Sequence, residues 1–153
     1  MNYHALLQKI GLYRLCYLCA FIVLPIQAQD QNIPSPESYF GFKMGADRKL
    51  AHWDKLVKYY DELGTKSSRM KVVHMGESTL GNPFLALYIS SPENLANLDE
   101  LQKINAMLSD PRGFTDAEIE DGIKNGRAVN VQSFGLHSSE VAASQTAAEF
   151  TYD

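Results

Sequence analysis

Apolar residues at Leu50, Trp53, Leu56, Val57, Tyr60 and Leu63 recur at intervals of three, three, one, three and three. That spacing keeps them on one face of a helix, so residues 48–63 are expected to form an amphipathic helix. Asp47 is placed to cap its start and Gly64 to stop it. The pattern then changes. Residues 70–77 and 84–90 read as two strands, and Ser78-Thr79-Leu80-Gly81-Asn82-Pro83 between them is rich in turn formers. An antiparallel hairpin is the simplest arrangement. Its second strand, Phe84-Leu85-Ala86-Leu87-Tyr88-Ile89, is apolar on both faces, the pattern of a strand covered on both sides.

Helical spacing returns with Leu95, Leu98, Leu101, Ile104 and Leu108, opened by Pro92 and Glu93 and closed by Asp110-Pro111-Arg112-Gly113. A third short helix is expected over 114–125, with Thr115 and Glu118 spaced as a capping box and Gly126 as the stop. In residues 128–134, Val129, Val131 and Ser133 alternate with Asn130, Gln132 and Phe134, which predicts another strand ending at Gly135. From Ser138 onward small residues dominate, and Ala142, Ala143, Ser144, Ala147 and Ala148 suit a helix packed closely on a sheet. Residues 31–45, with Pro34, Pro36 and two glycines, read as an extended lead-in. Together these elements predict an α/β fold, a mixed sheet covered by helices on both faces and incomplete at its C-terminal end.

The first 28 residues stand apart. Lys9 and Arg14 precede an almost unbroken apolar run over 15–26, and Ala28 follows it. This is the pattern of a secretory signal peptide, and the run is shorter than the ~20 apolar residues a membrane-spanning helix needs. The expected organisation is therefore a signal peptide over 1–28, a lead-in over 29–45 and a domain over 46–153. The product would be exported to a periplasmic or extracellular space, with no stable membrane insertion after cleavage. Cleavage takes Lys9 and Arg14 from the 14 basic residues and none of the 18 acidic ones, leaving 12 against 18, a net charge of −6. It also removes Cys16 and Cys19, the chain's 2 cysteines, so disulfides and thiolate-bound metal are excluded from the mature part. No basic run is present, which argues against a nucleic-acid partner.

The candidate chemistry lies in Gly135-Leu136-His137-Ser138-Ser139-Glu140-Val141. An imidazole and a carboxylate three residues apart on a tight turn share a face and suit a single metal ion. The loop follows an expected strand, and open α/β sheets place ligands at the carboxyl ends of strands. The spacing alone also fits a loop histidine followed by a carboxylate favoured at a helix N-terminus. His52 and His74 fall within the expected first helix and first strand, and each is more simply a core or surface side chain than a ligand.

The segment from Val129 to Ser144, with its His-Ser-Ser-Glu, resembles the first metal-ligand segment of the zinc metallocarboxypeptidases, the family of carboxypeptidase A. Upstream, Gly76-Glu77-Ser78-Thr79-Leu80-Gly81-Asn82-Pro83-Phe84 is similar to the family's Ser-x-x-Gly-Arg-Pro hairpin, and 55 residues separate Asn82 from His137. The resemblance covers nearly all the chain after Ile33. It implies that His137 and Glu140 ligate Zn2+ and that the substrate is the C-terminus of a peptide or protein. It also implies that the third ligand, the general base and the substrate-carboxylate clamp lie beyond residue 153. The chain would then be the N-terminal part of a peptidase, inactive alone. Asn82 replaces the usual arginine, and Ser139 stands where digestive members carry one, so digestive-type specificity is not implied. The same ligand pattern serves amidohydrolases that deacylate N-acyl amino acids. A non-catalytic exported binding module that kept the fold is a further reading.

Overall fold

The computed structural model describes residues 32–137 and 139–153. The expected signal peptide, with Cys16 and Cys19, lies outside the described residues. Among those described, no helix is long and apolar enough to cross a membrane.

The element order is α1 (Pro36–Phe40), α2 (Trp53–Lys66), β1 (Met70–Glu77), β2 (Pro83–Ile89), α3 (Pro92–Ala96), α4 (Leu98–Ser109), α5 (Asp116–Asn125) and α6 (Val141–Tyr152). The fold is α/β, with helices packed around a two-stranded antiparallel sheet.

The core is built on α2. Leu56, Tyr59, Tyr60 and Leu63 lie on one face at helical spacing and join Ala51, Met70 and Ala148 in a single buried cluster. Tyr59 is fully buried, and its hydroxyl donates to the Pro34 carbonyl at 3.1 Å, so the phenol is not left unsatisfied. Rings of Tyr39 and Phe40 pack on it with centroids 4.9 and 5.6 Å away. Those rings come from the segment whose composition suggests extended chain. Pro36–Phe40 is instead a short helix, because Pro36 suits its first turn and the Ser35 hydroxyl accepts from the Ser38 N–H at 3.2 Å. Both rings are half-buried against the core cluster.

Helix α2 is displaced from the expected span. It starts at Trp53 with His52 rather than Asp47 at the cap position, and it runs through Gly64 to Lys66. Gly64 is there because β1 crosses it closely. A Cβ at that position would lie 2.7 Å from Val72 Cγ2. Strands β1 and β2 pair antiparallel from Met70 with Ile89 to Glu77 with Pro83, and a bulge between His74 and Gly76 shifts the register. Gly76 takes a φ of 123° at the bulge, which a side chain would resist. At the hairpin tip the Ser78 N–H donates to the Asn82 carbonyl at 2.8 Å. The Asn82 N–H donates to the Ser78 hydroxyl at 3.2 Å. Trp53 ties the hairpin to α2 by donating from Nε1 to the Pro83 carbonyl at 3.1 Å.

Two further expectations are corrected. The first concerns β2, which is not covered on both sides, since Phe84, Tyr88 and Ile89 are exposed. The second concerns residues 128–134, which form no strand. Val129 and Val131 are 70 % and 82 % exposed, and the described sheet consists of β1 and β2 alone. An alternating sequence makes a strand only where a neighbour accepts its hydrogen bonds, and no described strand lies beside this one.

The helical region after β2 follows the sequence with one break. Asn97 ends α3 by donating from its side-chain amide to the Glu93 carbonyl at 2.8 Å, and α4 begins immediately. Helix α5 carries the expected capping box. The Thr115 hydroxyl accepts from the Glu118 N–H at 3.3 Å, and the Glu118 carboxylate accepts from the Thr115 N–H at 2.7 Å. Gly122 lets α5 approach Met107 and Leu108 of α4.

Candidate metal centre

Helix α6 holds the candidate residues through its far end. Ala148 is part of the core cluster, and Ala147 and Gln145 are also buried. The Gln145 Oε1 accepts from the Gly45 N–H at 3.2 Å, a satisfied polar contact that fixes the helix against the lead-in segment. The chain approaching α6 is held as well. The Phe134 ring lies 5.6 Å from that of Phe150, between centroids. Gly135 follows with a φ of 74°, a left-handed turn that glycine adopts without strain. These restraints deliver His137 to the N-terminal end of α6.

Glu140 occupies the N-cap position of α6, yet its side chain makes no capping bond to the helix. The carboxylate turns back instead. Its Oε1 lies 2.8 Å from Nδ1 of His137, and its Oε2 accepts from the His137 N–H at 3.4 Å. The Glu140 N–H donates to the His137 carbonyl at 3.1 Å, closing the turn. Both side chains are open to solvent, 69 % and 51 % exposed for His137 and Glu140. The helix N-terminus favours a carboxylate at this point.

The donor set fits a divalent metal as a pair. A neutral imidazole nitrogen and a carboxylate oxygen are both zinc ligands, and two atoms bound to one zinc ion lie roughly 3–3.5 Å apart. At 2.8 Å the two atoms are in hydrogen-bond contact, which an ion held between them would replace. Among the described residues, no group of three or more His, Cys, Asp and Glu side chains gathers in one place. His74 does not contribute to the centre. Its Nε2 contacts Asp61 Oδ1 at 2.8 Å, linking β1 to α2 on the surface. His52 serves α2 through its backbone carbonyl, which accepts from the Lys55 and Leu56 N–H groups at 3.0 Å each.

The contact of Phe134 with Phe150 beside the His137 loop is not encoded in the motif itself. Their only signal is that both are large apolar residues flanking the motif. The tie between Trp53 and the hairpin was likewise invisible, since it needs the tertiary fold.

No curated protein and no solved structure matches the chain. The model of the zinc carboxypeptidase family matches residues 56–153, more than half of the chain. That span holds α2 from Leu56 onward, the β1–β2 hairpin and the facing pair at His137 and Glu140, and the chain belongs to the zinc carboxypeptidase family.

Proposed function

We propose that His137 and Glu140 are two of the three protein ligands of a catalytic zinc ion in an exported metallocarboxypeptidase-type peptidase, of which these residues form the N-terminal part. Family membership supports hydrolase chemistry of the zinc carboxypeptidase type on peptide substrates. The observation that carries the assignment is the facing of Nδ1 and Oε1 at 2.8 Å at the start of α6.

Zinc bound there would polarise the scissile carbonyl and acidify a bound water. The chain's own part is to present the donors. The turn closed between Glu140 and His137 sets their separation, and the buried end of α6 holds them against the core. A catalytic zinc takes three protein ligands and keeps one position open. The third ligand and the general base are therefore assigned to residues outside those described. Peptide binding is expected at the exposed side of the pair, with the C-terminal bond of the substrate presented to it.

The test uses the protein expressed from its full reading frame. Zinc is measured in the native protein and in His137→Ala, and hydrolysis is followed on peptides with free and blocked C-termini. Stoichiometric zinc that is lost in His137→Ala, with cleavage of the free-ended peptide alone, is expected. Equal zinc in both proteins overturns the ligand assignment. Hydrolysis of N-acyl amino acids without peptide cleavage overturns the peptidase reading. Processing after Ala28 in the exported product is the corresponding check on export.

A further inference from the structure

Asn125 is the one asparagine of the chain followed by glycine. It ends α5 and is exposed, and Gly126 caps the helix by donating its N–H to the Gly122 carbonyl at 2.7 Å. Gly126 has no alternative at this position, because a Cβ there would lie 2.7 Å from the Gly122 carbonyl oxygen. The capping geometry therefore requires a residue without a side chain directly after a solvent-exposed carboxamide. That is also the least hindered arrangement for attack of a backbone nitrogen on the preceding side chain.

Arg127 adds a second element. Its Nη1 donates to the Asn125 carbonyl at 2.9 Å and to the Gly126 carbonyl at 2.8 Å. The Asn125 carbonyl and the Gly126 N–H belong to one peptide group. A guanidinium on that oxygen stabilises the negative charge that develops when the nitrogen loses its proton. Two bonds act the other way. The Gly126 N–H is held by Gly122, and the Asn125 Nδ2 donates to Asp121 Oδ1 at 2.9 Å, drawing the carboxamide back along the helix.

We propose that Asn125–Gly126 is a spontaneous deamidation site, promoted by Arg127 and restrained by the last turn of α5. When that turn frays, the Gly126 nitrogen gives its proton to hydroxide and attacks Cγ of Asn125. A Cγ–N bond forms, the Cγ–Nδ2 bond breaks, and Nδ2 leaves as ammonia after taking a proton from water. Water then opens the resulting succinimide at either carbonyl, giving aspartate or isoaspartate. The net change consumes one water and releases one ammonia. The product places a negative charge at a helix C-terminus, where the helix dipole disfavours it. The isoaspartate form also lengthens the backbone between α5 and the segment that leads to His137. The proposal does not depend on the zinc reading.

The test incubates the full-length protein at mildly alkaline pH and maps amide loss by peptide mass spectrometry, with the other asparagines as internal references. Asn125 is expected to lose its amide first, giving mixed aspartate and isoaspartate. Asp121→Ala and urea-unfolded protein are expected to react faster than the native chain, and Arg127→Gln more slowly. Retention of the Asn125 amide while other asparagines convert overturns the site. Equal rates in native, unfolded and Asp121→Ala protein overturn the restraint, and an unchanged rate in Arg127→Gln overturns the role of the guanidinium.

Discussion

Gly64 and Val72 mark a close crossing of α2 over β1, with a Cβ at Gly64 falling 2.7 Å from Val72 Cγ2. Gly64→Ala therefore sets two effects against each other. Alanine in a helix interior gains about 1 kcal/mol over glycine. Overpacking a close contact costs about 1–3 kcal/mol. Valine is stiff at χ1, so Val72 yields only if the backbone moves. The clash is expected to win, and Gly64→Ala should lower the urea midpoint without changing the slope. A stabilised variant would show that α2 and β1 separate freely.

The same crossing explains why the sequence misplaced the end of α2. A glycine after a periodic run reads as a stop, and only the strand lying over Gly64 shows that it is an interior contact. The heart of α2 was legible because its apolar spacing is set by the helix itself. The His137 and Glu140 pair was legible for the same reason, since three residues of separation act within one turn. Residues 128–134 show the converse. Their alternation is plain, yet strand formation depends on a neighbour that no local pattern supplies. The aromatic packing of Tyr39 and Phe40 on Tyr59 is likewise a long-range fact, hidden among prolines and glycines.

Alkali should unfold this chain through its buried tyrosines. Burial pushes the Tyr60 phenol from its ordinary 10.0 up to about 12. Tyr59 is raised further by burial and by nearby Tyr152 and Glu149. A raised folded value means that the unfolded chain loses its proton first. The associated stability is fully present below pH 10 and declines as pH rises through the folded values. Denaturant midpoints measured from pH 9 to 12 should fall, and the fall should be shallower in Tyr60→Phe. A flat profile would place these phenols in water.

The capping box of α5 gives an acid-side prediction. The Glu118 carboxyl is held below its ordinary range, first by the Thr115 backbone N–H and then by the Thr115 hydroxyl. A lowered folded value contributes stability above the unfolded pKa of 4.5 and loses it as pH falls through the folded value. Thr115→Ala removes the side-chain cap and should cost about 1 kcal/mol near neutral pH. Its acid-induced loss should also be smaller than that of the native chain, as measured by thermal unfolding at pH 7 and pH 3.

Glu140→Gln separates metal binding from folding. Glutamine keeps the length and an acceptor oxygen facing the His137 ring, and the position is exposed, so stability should change by no more than about 0.5 kcal/mol. Only the charged donor is lost. Loss of an outer-sphere partner typically weakens metal binding about 10–100-fold, and loss of a direct ligand should exceed that. Zinc titration of the protein from its full reading frame, beside Glu140→Gln, should therefore show an affinity drop of more than about 100-fold with an unchanged unfolding midpoint. A smaller drop would place Glu140 outside the coordination sphere, holding His137 through the 2.8 Å contact instead of sharing the ion with it.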